Sequence, residues 1–72
     1  MHPEKLVMMA NQIADFFDAQ GAANAAPSIA DHLRKFWDPG MRAEISAHAK
    51  RGGAGMKPSV VAAVRLLEAG SS

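Results

Sequence analysis

The chain has 72 residues, 49% of them hydrophobic, a formal net charge of +1 and no cysteine. A length of this order makes one domain that hides only about 60% of its unfolded surface, so its core leaves little margin of stability. The missing thiols exclude disulfide staples, iron–sulfur ligation, thiolate zinc sites and a cysteine nucleophile. The charge is lower than nucleic-acid binders carry, and no apolar run approaches the roughly 18 residues of a membrane span.

The start, Met1-His2-Pro3-Glu4-Lys5, is polar and charged, which predicts an unexported, cytoplasmic chain. A first helix is expected over residues 3–19, with Pro3 at its first position and Leu6, Met9, Ile13, Phe16 and Phe17 on one apolar stripe. Val7, Ala10 and Ala14 flank that stripe and Met8 sits toward the polar side, a second strip available to another surface. Gln20-Gly21 ends the helix, and Asn24 is a candidate cap for the next, with Pro27 in its first turn.

The second helix is expected over residues 25–37, with Ile29, Leu33 and Phe36 at helical spacing and Asp31, Arg34 and Lys35 on the other side. The same reading turns Phe36 inward and leaves Trp37 half exposed. Asp38 then caps a third helix over residues 39–50, with Pro39 at its first position and Met41, Ile45 and Ala49 along one face. Lys50 and Arg51 complement its C-terminal dipole, and Gly52-Gly53 stops it. A flexible glycine-rich hinge over residues 52–57 leads to a fourth helix, residues 58–69, with Val60, Val61, Val64 and Leu67 on one face. No stretch alternates with period two. The expected fold is therefore all-α, one domain over residues 1–72, with about four short helices in a bundle-like or orthogonal arrangement.

Chemistry is poorly represented. His2, His32 and His48 lie on three segments and form neither HExxH nor an i, i+4 pair, and the serines lack a nucleophile elbow. Gly52-Gly53-Ala54-Gly55-Met56-Lys57-Pro58-Ser59 invites comparison with a phosphate loop. Met56 and Pro58 break the GxxxxGK[ST] spacing, and no strand leads in. Arg34, Lys35, Arg42, Lys50 and Arg51 crowd the middle, so a small helix–turn–helix binder of nucleic acid is the alternative function. Trp37 beside Arg34 and Arg42 is the residue combination enriched in protein-binding hot spots.

Three stretches then resemble a known family: Met9-Ala10-Asn11-Gln12-Ile13-Ala14-Asp15-Phe16-Phe17, Ile29-Ala30-Asp31-His32-Leu33-Arg34-Lys35-Phe36-Trp37-Asp38-Pro39 with Met41-Arg42, and Gly53-Ala54-Gly55-Met56-Lys57-Pro58. They are similar to the delta subunit of NAD-dependent, molybdenum-containing formate dehydrogenase, over nearly the whole chain. The chain departs from that pattern at Gly40, where the family usually has a basic residue, and at Lys57, where an Asp or Ser would cap the last helix. The resemblance implies a non-catalytic accessory subunit that docks on the large catalytic subunit of a cytoplasmic complex and supports its assembly or stability. Molybdopterin, iron–sulfur clusters and FMN would then reside in partner subunits, with no cofactor or metal in this chain. The expected docking patch is Arg34, Lys35, Trp37, Asp38, Pro39, Met41 and Arg42. In isolation the chain could pair with itself through the same surface, and an independent enzyme ranks last.

Overall fold

The computed structural model describes residues 2–70. Four helices follow in chain order: α1 Pro3–Gln20, α2 Ala22–Phe36, α3 Pro39–Lys50 and α4 Pro58–Gly70. No strand occurs among the described residues, so the fold is the small all-α domain that the 3.6-residue periodicity predicts. α2 is the central element, packed on both α1 and α4.

The core draws on every helix: Leu6, Val7, Ala10 and Ala14 of α1, Ala25, Ile29, Ala30 and Leu33 of α2, Ile45 of α3, and Val60, Ala63, Val64 and Leu67 of α4, joined by Trp37. α1 is rolled away from its expected stripe, because Ala10 and Ala14 next to Leu6 and Val7 let its backbone approach its neighbours closely. Met9, Ile13 and Phe17 consequently pack at the margin of the core, and Phe16 is displaced outward to 60% exposure.

Gly21 alone connects α1 to α2. Its φ of 155° suits glycine, and its N–H closes α1 on the carbonyls of Phe17 and Asp18. α2 therefore begins three residues before the expected start at residue 25. Asn24 lies inside it without a side-chain cap bond, and Pro27 falls within the helix rather than in its first turn. Alanine at positions 22, 23, 25 and 26 is the strongest helix former, and it outweighs the local cap signal.

The loop between α3 and α4 is fastened from several sides. Gly53, at φ +63°, donates to the His48 carbonyl at 3.0 Å, and Met56 N–H donates to Gly53 at 3.0 Å. Asn11 of α1 spans it: Nδ2 donates to the Gly55 carbonyl at 2.9 Å and Oδ1 accepts from Lys57 N–H at 3.1 Å. His48 Nε2 donates to the Ala54 carbonyl at 2.9 Å. Lys57 pairs with Asp15, and Ser59 Oγ donates to Asp18 at 3.1 Å. Where a capping side chain would have opened α4, Lys57 instead ties the start of that helix to α1.

Candidate protein-interaction surface

The turn between α2 and α3 places the residues expected to dock. Asp38 Oδ1 accepts from Met41 N–H at 2.8 Å, and Pro39 occupies the first position of α3, so both define the helix start. Met41 is half-buried against the core. Lys35 pairs with Asp31 one turn back at 2.9 Å, a bond held along the exposed side of α2. Arg34 and Pro39 are exposed and Arg42 is partly so.

At the two aromatics the expected arrangement is reversed. Trp37 is 6% exposed and belongs to the core, whereas Phe36 is 72% exposed. α2 ends at Phe36, Trp37 is extended, and its N–H still donates to the Leu33 carbonyl at 2.9 Å. Ile29, Leu33 and Trp37 thus follow one another at i, i+4, i+8 on the inward face, and the larger indole gains more from burial than the phenyl would. Trp37 presents almost no surface to a partner; Phe36 presents the most of any large apolar side chain described.

Phe36 is the end of an aromatic strip that crosses from α2 to α1. His32 lies 4.7 Å from it between ring centroids, Phe17 lies 6.2 Å from His32 edge-on, and Phe16 lies 5.2 Å from Phe17 edge-on. His32 and Phe17 are half-buried and the two outer rings are open to solvent. The signal for this strip was present as His32 and Phe36 at i, i+4, masked by assigning Phe36 to the core stripe.

A second feature lies on the other side of α2, since Arg34 is about 160–200° around the helix from Phe36 and His32. There Arg34, Pro39, Arg42, Ala43, Ser46, Leu67 and Glu68 line an open recess of about 490 Å3. Glu68 is held by Ser46 Oγ at 2.6 Å and Lys50 Nζ at 3.1 Å, and these two donors keep its carboxyl below the usual glutamate range. Arg42 Nε is buried without a hydrogen-bond partner.

Among the described residues no three His, Asp or Glu side chains gather where they could share an ion. Of the five central basic residues, Lys35 and Lys50 are engaged in ion pairs within the chain. No helix of the described residues is long and apolar enough to cross a membrane.

Residues 5–64 match the family described as NADH-dependent formate dehydrogenase delta subunit FdsD. The chain belongs to the FdsD family. That span contains all four rings of the aromatic strip and both arginines of the recess, while Leu67 and Glu68 lie beyond it. Neither the curated proteins nor the solved structures compared with this FdsD chain provide a match.

Proposed function

We propose that this FdsD chain is a non-catalytic accessory subunit that docks on the catalytic subunit of a cytoplasmic NAD-dependent formate dehydrogenase and supports its assembly or stability. The observation that carries this reading is the aromatic strip on a chain of the delta-subunit family. Two phenylalanines stand out from a domain with a small core, and burying each is worth about 1.5–3 kcal/mol. With no cysteine the chain offers no thiolate to an iron–sulfur cluster, and it is the family resemblance that assigns molybdopterin and FMN to partner subunits in this reading. Of the junction residues, Arg34, Lys35, Pro39, Met41 and Arg42 remain in the proposed surface, Phe36 takes the place of Trp37, and Asp38 serves through its cap.

The test is reconstitution with the dehydrogenase purified from cells that lack this chain. Wild-type chain should bind it, and the double variant Phe16→Ser, Phe36→Ser should lose at least about tenfold in affinity with unchanged helicity. A dehydrogenase that ignores the wild-type chain, or that binds the double variant equally well, refutes the reading. Retention of nucleic acid that moderate salt releases would instead favour the helix–turn–helix alternative.

A further inference from the structure

The recess on the far side of α2 has a chemistry that the aromatic strip lacks. Arg42 of α3 lines the recess and is partly buried, its Nε closed off from solvent and unpartnered among the described residues. Buried N–H groups in folded proteins almost always have an acceptor, so this guanidinium is short of one acceptor while other parts of the same side chain border an open space. Arg34 adds a second guanidinium from α2. Leu67, Pro39 and Ala43 supply apolar surface between the charges. Glu68 contributes a negative charge, but its carboxylate is already engaged by Ser46 and Lys50. With Glu68 balanced by Lys50, the two guanidiniums are the uncompensated charges of the lining. That surplus suits an anion, and the planar guanidinium fork matches a carboxylate with apolar methylenes behind it.

We infer that this recess receives an acidic side chain of the catalytic subunit, its carboxylate on Arg42 and its methylenes against Leu67 and Pro39. The inference rests on the docking reading above and gives it a second, charged contact point. Arg34, exposed at the rim, steers the acidic group inward and contributes less once it is seated.

The experiment uses the full chain and the dehydrogenase purified without it, with affinity measured over a series of salt concentrations. Arg42→Gln should weaken association about 30-fold, the loss characteristic of removing one member of a buried charged hydrogen bond, and should flatten the salt dependence. Arg42→Lys should recover only part of that loss, because an ammonium cannot reproduce the fork. Arg34→Gln should cost only about threefold, mainly in association rate. Circular dichroism and thermal melting establish that each variant is folded; should Arg42→Gln prove unfolded, Arg34→Gln and Arg42→Lys carry the same comparison. Wild-type affinity and salt dependence in all three, while Phe16→Ser, Phe36→Ser abolishes binding, would overturn the recess assignment and leave the docking reading standing. Failure of the wild-type chain itself to bind would overturn both.

Discussion

One step along the backbone separates Phe36 from Trp37, and it decides which ring the core keeps. Trp37 is buried beside Leu33 and Ile29, so its truncation removes packing rather than a binding contact. Trp37→Ala should cost about 3–5 kcal/mol in chemical denaturation, a large share of the roughly 4–11 kcal/mol that a domain this size commands. A loss under about 1 kcal/mol would mean that the indole is not part of the core. Asp38 and Pro39 were legible in the sequence because a cap and a first-turn proline act within four residues of themselves. The orientation of the aromatics was not, because it depends on where α2 stops. Periodicity read forward from Ile29 accommodates both Phe36 and Trp37 on one broad stripe, and only the change to extended backbone at Trp37 distinguishes them.

Between elements, the fasteners join residues far apart in the chain. Asn11 and Lys57 are separated by 46 positions, yet the Asn11 amide bonds both ends of the stretch from Gly55 to Lys57. Asn11→Ala should destabilise the domain by about 1–3 kcal/mol and speed hydrogen exchange at the Lys57 amide, since that N–H loses its acceptor. Unaltered exchange there would show the loop held by other means. Ser46 and Lys50 of α3 hold Glu68 of α4, and their bonds lower its carboxyl pKa. As pH falls the unfolded chain takes up this proton first, so the contribution is whole at neutral pH and is lost as pH drops through the folded-state value. Ser46→Ala should therefore reduce stability near about pH 7 and matter progressively less toward about pH 3. A penalty constant across that range would deny the carboxylate its part. Glycine richness at 52–57 announced a turn but not these bonds, because no local pattern reports a partner on α1. Likewise Asn24 signals a cap locally, whereas the alanines at 22, 23, 25 and 26 carry α2 back to Ala22.

At the scale of the whole molecule, a radius of gyration of 10.8 Å matches the approximately 11 Å expected of a folded chain of this length. Among the described residues the core reaches that compactness with five buried alanines and no buried polar residue. The all-α class was legible because helical spacing, prolines at helix starts and glycines at helix ends agree with one another along the chain. The two surface features were less so: the strip depends on the roll of α1, and the recess on α2, α3 and α4 meeting around Arg42.

α2 carries Phe36 and His32 along one edge and Arg34 along nearly the opposite one, like a key cut on both sides. Turning it about its axis would advance one edge and withdraw the other. A partner that met the strip on one edge, and on the other the recess that Arg34 shares with Arg42 of α3, would therefore gauge how this helix is seated among its neighbours, and would discriminate against a chain whose core had not closed. Under the proposed docking, assembly would double as quality control: only a correctly packed subunit could offer rings and guanidinium at the same time.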